Sequence, residues 1–303
     1  MHIPNHLISP EVAIVGGVAA AALIVRAVVK LRKNGSFTRE KLPLAGALGA
    51  FVFAAQMVNY PLAEIGCSGH LVGGILLAAM LGPWLGFLTL SSVVALQALL
   101  FADGGLMALG CNILNMAAIS CLVVYPLVFK PLVGDSSSAA RQFGSAVVAS
   151  ALALILGSLG VVAENALSGG AALPLAEFTT TMLPIHLLLG AIEGVVVGAI
   201  LAVVVSRAPS QLYLLHTKTK ALCTNTTRTA ILFAIAALVV GGVLSPMASN
   251  RPDGLEWSIA QTATAATPQT ATHSTVDLLQ QAIAIAPDYE GGYTGLAATA
   301  GIL

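Results

Sequence analysis

Met80-Leu81-Gly82-Pro83-Trp84 interrupts an otherwise continuous apolar run over residues 70–102. That run is much longer than the ~20 residues that cross a bilayer as a helix. Proline lacks a backbone N–H, and its ring clashes with the preceding turn, so a helix breaks at Gly82-Pro83. We therefore divide the run into two helices. Working outward, further apolar runs lie at roughly 9–31, 43–60, 106–129, 141–165, 179–206 and 229–248. The expected architecture is all-α: a polytopic membrane bundle of about seven helices, plus one helix in a C-terminal segment.

Charge checks the division. Loops on the cytoplasmic side are enriched in Lys and Arg. With the N-terminus outside, the internal loops hold Arg26, Lys30, Arg32, Lys33, Arg39 and Lys41, then Lys130 and Arg141, then Arg207, Lys218, Lys220 and Arg228. That is twelve of the thirteen basic residues, and only Arg251 falls outside. A count wrong by one helix would scatter the later ones over both faces. The expected location is the cell (inner) membrane, multi-pass, N-terminus outside.

Composition agrees. The chain of 303 residues is 57% hydrophobic and 9% charged, with a mean hydropathy of +0.91, whereas a soluble domain is about 25% charged. The net charge of zero gives no reason to expect nucleic acid. Cys67, Cys111, Cys121 and Cys223 show no paired spacing, which argues against a thiolate zinc site or a disulfide framework. The start has no basic segment before its apolar run, so it does not read as a cleaved signal peptide. Because His2 is bulky, Met1 is expected to be retained with a free amine. We divide the chain into a membrane domain over 1–206, a cytoplasmic linker over 207–228 and an accessory segment over 229–303. Within the last, residues 249–303 are polar, with a Thr/Ala-rich run from Thr262 to Thr275, and read as a flexible external segment. Gly291 to Leu303 is apolar but too short to span.

The chemistry concentrates at Met1-His2-Ile3-Pro4. A free amine, the His2 backbone nitrogen and the His2 Nδ1 can close on one metal ion through a five-membered and a six-membered chelate ring. Three nitrogens then lie in a plane with one corner open. Such a tetragonal set suits Ni(II) or Cu(II), and less strictly Co(II). The other histidines are His6, His70, His186, His216 and His273. In this topology His2, His6 and His70 share the outer face, which makes His70, in the loop after the second helix, the candidate for the open corner. A Met-His start carries little weight alone. Followed by a polytopic chain with Ser68-Gly69-His70 on the same face, it carries much more.

These residues, with Phe51-Val52-Phe53-Ala54-Ala55-Gln56-Met57, Gly73-Gly74, Leu81-Gly82-Pro83-Trp84, Gln97-Ala98-Leu99, Asp103-Gly104-Gly105 and Gly110 to Met116, resemble the CbiM/NikM family. These are the substrate-capture subunits of energy-coupling factor transporters for cobalt and nickel. The resemblance covers about residues 1–206. It implies a metal held by the Met1 amine, the His2 amide and imidazole nitrogens and the His70 imidazole. Nickel or cobalt would be transported substrate, with no resident cofactor. The implied partners are a transmembrane coupling subunit, a cytoplasmic ATPase pair and a small accessory membrane subunit. No ATPase motif appears in the chain. Arg251-Pro252-Asp253-Gly254-Leu255-Glu256-Trp257 resembles the PDGLE motif of that accessory component. The family's start continues with Asp-Gly, whereas this chain has Asn5-His6.

Around the ligands, Gln56 and Asn59 at the outer end of the second helix are expected to hold them by hydrogen bonds, and Ser68 adjoins His70. His6 is either a neighbour or a further donor. His186 and Glu193 lie on one face of the seventh helix, where ionisable groups invite a functional reading beside the plainer one of a helix-tying polar network. Asp103-Gly104-Gly105 reads as a tight turn. Two alternatives stay open: cobalt uptake for cobalamin synthesis by the same route, and a membrane metallo-enzyme or metal sensor using His2, His70 and His186.

Overall fold

The computed structural model describes residues 1–34, 41–62, 64–134, 136–169, 173–215, 226–264 and 269–287. Among these, six helices are long and apolar enough to cross a membrane: α1 (Pro10–Lys33), α4 (Pro83–Leu100), α5 (Leu109–Val133), α6 (Ala139–Leu167), α7 (Leu175–Arg207) and α8 (Thr226–Met247). α2 (Lys41–Gln56) has 16 residues and α3 (Gly74–Leu81) only eight. The chain is a multi-pass helical membrane protein. Two short helices follow, α9 (Gly254–Thr262) and α10 (Ala271–Ile283). A small antiparallel hairpin pairs β1 (Tyr60–Leu62) with β2 (Cys67–Gly69).

The break at Gly82 is where the sequence puts it. Gly82 has φ +85°, and Pro83 starts α4. α3 is far shorter than a span because all eight of its residues are buried. A half-helix at membrane depth is tolerated only when protein satisfies its ends, and length rules for lipid-facing helices do not apply to it. The second helix, expected over 43–60, stops at Gln56, where the chain turns into the hairpin.

α6 and α7 form the most extensive helix pair. Gly190, Gly194 and Gly198 line the seam. A Cβ at these positions would come within 2.7, 2.4 and 2.9 Å of Ala151, Val147 and Phe143. One small residue per turn brings the backbones together where no hydrophobic effect drives association. α8 packs on α2, with Phe51 and Phe233 edge to face. On α2, a Cβ at Gly46 would meet nothing within 4 Å, whereas one at Gly49 would come within 3.0 Å of Thr89 on α4.

The polar C-terminal segment departs from expectation. The described part of 249–287 is folded and docked. Asp253 and Glu256 close a reciprocal capping box on α9, an Asp-x-x-Glu pattern that nucleates a helix start. α9 packs on α7 and on β2, and α10 packs on α4 and on the turn at Asn5–Leu7. Gly291 to Leu303, His216 and the middle of the 207–228 linker lie outside the described residues.

Candidate metal centre

Apolar side chains draw the N-terminus inward. Ile3, Leu7 and Ile8 are almost fully buried. The backbone of Ile3 is then clasped from both sides. Its N–H donates to Asn112 Oδ1 at 2.8 Å, and its carbonyl accepts from Gly105 N at 2.7 Å and Asn112 Nδ2 at 3.3 Å. The turn Asp103-Gly104-Gly105 is therefore a cradle for the N-terminal strand. A Cβ on Gly105 would lie 2.4 Å from Asn5 N, so no larger residue fits. Gly105→Val is expected to displace the strand and lower metal affinity about 10–100-fold, the usual cost of losing a group that orients ligands. A nickel titration measures it, and unchanged affinity contradicts the cradle.

Asn5 replaces the family's usual Asp and has its own partners. Its Oδ1 accepts from Met107 N at 2.8 Å, and its Nδ2 donates to Asp277 Oδ1 at 2.6 Å and Gln280 Oε1 at 2.9 Å. Gln280 Nε2 in turn donates to the carbonyls of Ala98 and Gly104. His273 Nε2 donates to Ile8 O at 2.9 Å, while its Nδ1 accepts from Thr270 N. α10 thus straps the N-terminal strand down.

At the end of that strand the donors meet. Met1 N lies 3.2 Å from His70 Nε2. His70 Nδ1 lies 3.1 Å from Leu71 O. A carbonyl only accepts, so Nδ1 carries the proton and Nε2 presents its lone pair to Met1. The His2 ring stacks on the His70 ring, centroids 5.4 Å apart and planes 14° apart. His2 Nδ1 lies 3.1 Å from Asp103 Oδ1, and its Nε2 is buried without a partner. A carboxylate from the C-terminal segment completes the cluster: Asp253 Oδ2 accepts from Met1 N at 2.6 Å and stands 3.9 Å from His70 Nε2.

Electrostatics keep the imidazole neutral and the carboxylate ionised. Burial first, then the Met1 ammonium and His2, push the His70 pKa down to about 3. Burial alone would raise the Asp253 carboxyl, but the Met1 ammonium and His70 outweigh it and hold it well below the carboxylate range. The cluster opens on a cavity of about 1040 Å³ lined by Asp103, Asp253, Glu256 and Asp277 among others, a surface that concentrates cations.

The other expected residues fall around this cluster in different ways. Gln56 Nε2 donates to Val72 O at 2.8 Å, two residues beyond His70. Glu193 accepts from Val72 N at 2.8 Å and Gly73 N at 3.0 Å. Both hold the His70 loop rather than the His70 ring. Asn59 lies beyond the end of α2, lines the cavity, and receives Ser249 N on its carbonyl. Ser68 faces away from the donors: its hydroxyl donates to Arg251 O and its N–H to Pro252 O, pinning the segment that carries Asp253. His6 is half-buried beside Asp277 and His273, and burial lowers its pKa. His186 donates from Nδ1 to Met182 O at 2.8 Å and borders a small cavity shared with Met1, His70 and Asp253.

Among the described residues no three His, Cys, Asp or Glu side chains gather as a metal site. A set built from an amine, a backbone nitrogen and two imidazoles does not have that form. The reading from sequence missed Asp253, Asn112 and the strap from α10. The Asp-x-x-Glu cap was a readable signal for the first, since it fixes a carboxylate at a helix start.

Comparison with known proteins shows which family the chain belongs to. The family model for CbiM, described as "Cobalt uptake substrate-specific transmembrane region", matches residues 2–211, and a PDGLE domain model matches 227–302. A putative metal transport protein of Haloquadratum walsbyi is 34% identical over 70% of this chain and 94% of its own length. A putative fused nickel transport protein NikMN of Archaeoglobus fulgidus is 31% identical over 69% of this chain and 67% of its own length. The fused nickel transport protein NikMN of Rhodobacter capsulatus is 36% identical over 41% of this chain and 35% of its own. Of solved structures, a transition metal transporter is 28% identical with a TM-score of 0.59, covering 72% of this chain and 97% of that one. With the first model spanning the N-terminal stretch and α1 to α7, and the second covering α8 and the segment that carries Asp253, the chain belongs to the CbiM family of nickel and cobalt transport membrane components, fused to a PDGLE domain.

Proposed function

We propose that this chain captures Ni(II) as the substrate-binding subunit of an energy-coupling factor transporter, in a planar site of the Met1 amine, the His2 amide nitrogen and Nδ1, and His70 Nε2. The observation that supports this most directly is the 3.2 Å separation of Met1 N and His70 Nε2. Two nitrogens at right angles on a metal with bonds of about 2.0 Å stand about 2.8 Å apart, so a movement of a few tenths of an ångström completes that edge. The His2 ring lies against the His70 ring, centroids 5.4 Å apart, with its Nδ1 turned to Asp103, so that nitrogen would have to swing toward the metal. Loading releases protons. The ammonium and the His2 amide each lose one, and Nδ1, which faces Asp103, must present its lone pair.

A planar nitrogen set favours Ni(II) over the less demanding Co(II), and the relatives that share the fused arrangement carry nickel in their names. Cobalt is the competing cargo, because the family model is described for cobalt uptake. The chain would face outward at its N-terminus. It would draw energy from a transmembrane coupling subunit and an ATPase pair docked at the basic end, where Lys30, Lys41 and Lys130 surround the Gly82 turn.

The test compares purified full chain having native Met1 with chain acetylated or extended by one residue at the N-terminus. Native chain is expected to bind one nickel with the absorption of a planar low-spin complex. Both modified forms are expected to lose it. Nickel affinity that survives acetylation overturns the site. Competition between nickel and cobalt on the native chain decides the cargo.

A further inference from the structure

Asp253 belongs to neither imidazole loop nor N-terminal strand, yet its Oδ2 is the nearest polar atom recorded for the Met1 amine. Met1 N, His70 Nε2 and Asp253 Oδ2 are separated by 3.2, 2.6 and 3.9 Å. Three atoms so spaced share one equidistant point, about 2.0 Å from each, which is the bond length of a divalent transition metal to nitrogen or oxygen. At that point the imidazole and the carboxylate stand nearly opposite one another, and the amine lies between them.

We propose that the Met1 amine, His70 Nε2 and Asp253 Oδ2 form a three-donor capture site for a divalent metal ion, occupied before the four-nitrogen site closes. This rests on the function proposed above and adds to it a ligand from the PDGLE segment.

Three features of the fold carry it. The carboxylate is held in advance. Its Oδ1 caps α9 by accepting Glu256 N at 2.8 Å, which leaves Oδ2 for the amine, and Ser68 fixes the two preceding carbonyls. Its side chain is also more accessible than that of His70, 15% exposed against 8%. An ion arriving from the acidic cavity therefore meets it first. Finally, the donor order amine, amide, Nδ1 around a planar metal places the His2 amide opposite His70. Asp253 stands in that same position, so it occupies the corner the amide takes later.

The sequence of bonds balances. The metal bonds Asp253 Oδ2, the amine and Nε2, and one ammonium proton passes to solvent. The His2 amide nitrogen then displaces the carboxylate. Its proton goes to the freed Asp253 and from there to water. The first stage accepts any divalent metal that tolerates mixed nitrogen and oxygen donors. The second admits only a metal that stabilises a deprotonated amide.

The test uses the full chain with native Met1 and His2→Ala, which removes one imidazole and leaves the three capture donors. His2→Ala is expected to retain measurable Co(II) and Ni(II) binding. Adding Asp253→Asn is expected to weaken that binding at least tenfold. Asparagine caps a helix as well as aspartate does, so α9 is preserved. In the His2 background, Asp253→Asn should slow nickel loading at least tenfold while the final planar absorption is unchanged. Glu256→Gln, which removes a charge from the same cavity wall, should slow loading by less than threefold. The proposal is overturned if Asp253→Asn leaves both the residual binding and the loading rate unchanged. It is equally overturned if Glu256→Gln slows loading as much, since general attraction then suffices. Absence of metal binding by the unmodified chain would instead refute the function proposed above.

Discussion

His70→Ala is expected to lower nickel affinity by a factor of about 10² to 10³. A closed four-ligand site on a divalent metal is worth about 10–16 kcal/mol, so one donor carries about 2.5–4 kcal/mol, and each 1.4 kcal/mol is tenfold. In the proposed ligand set the nitrogens of Met1 and His2 would still form a chelate by themselves, so binding should weaken without vanishing. The absorption should also shift, because water or Asp253 Oδ2 enters the vacated corner in place of an imidazole. Isothermal titration and the visible spectrum of the nickel complex measure both effects. An affinity within threefold of the native chain would show that His70 is a neighbour and not a ligand.

Glu193→Leu should cost about 3 kcal/mol of stability, lowering the melting temperature in detergent by about 5–10 °C. The Glu193 carboxylate is buried in α7 and accepts both backbone N–H groups of Val72 and Gly73. Removing it strands two buried donors, at about 1–3 kcal/mol each, offset in part by relief of a buried charge. Gly73 sits at φ +79°, and a Cβ there would press within 2.8 Å of Val52, so the loop cannot rearrange to find other partners. Glu193→Gln keeps one acceptor and should lose about half as much. Because the loop carries His70, metal affinity should fall along with stability in the leucine variant. A melting temperature within 2 °C of the native chain would mean that water or another group satisfies those donors.

How much of this was legible depended on whether the signal was local. Gly82-Pro83 breaks a helix through its own covalent structure, so the division of the long run was readable from two residues. The apolar runs marked the other helices for the same reason. The end of α2 was not readable. Residues 57–60 carry no Gly or Pro to stop a helix, and the chain leaves the helix where the hairpin begins to pair Tyr60 with Gly69. The brevity of α3 escaped because its burial depends on neighbours distant in sequence. The meeting of Met1, His2 and His70 could be anticipated because chelate geometry is written in adjacent atoms and in loop placement. Ser68 was given to His70, its neighbour in sequence, but serves Arg251 and Pro252 instead. Asp253, Asp277 and Gln280 were invisible as site residues, since composition marked their segment as flexible. What orders it is a set of hydrogen bonds to Met1, Asn5 and Ile8, contacts that span more than two hundred and fifty positions.

The ammonium of Met1 and the carboxylate of Asp253 are separated by 252 residues. At about 5–20 residues per second of synthesis, the first amino acid made waits about 10–50 s for its partner to leave the ribosome. Throughout that interval the amine has no carboxylate to shield it and no strap from α10 over its strand. Any enzyme that modifies nascent chain ends would find it accessible, and a single acetyl group added then would persist in the finished protein. The completed fold closes over the terminus, so the chemical state of that amine is decided during each molecule's own translation.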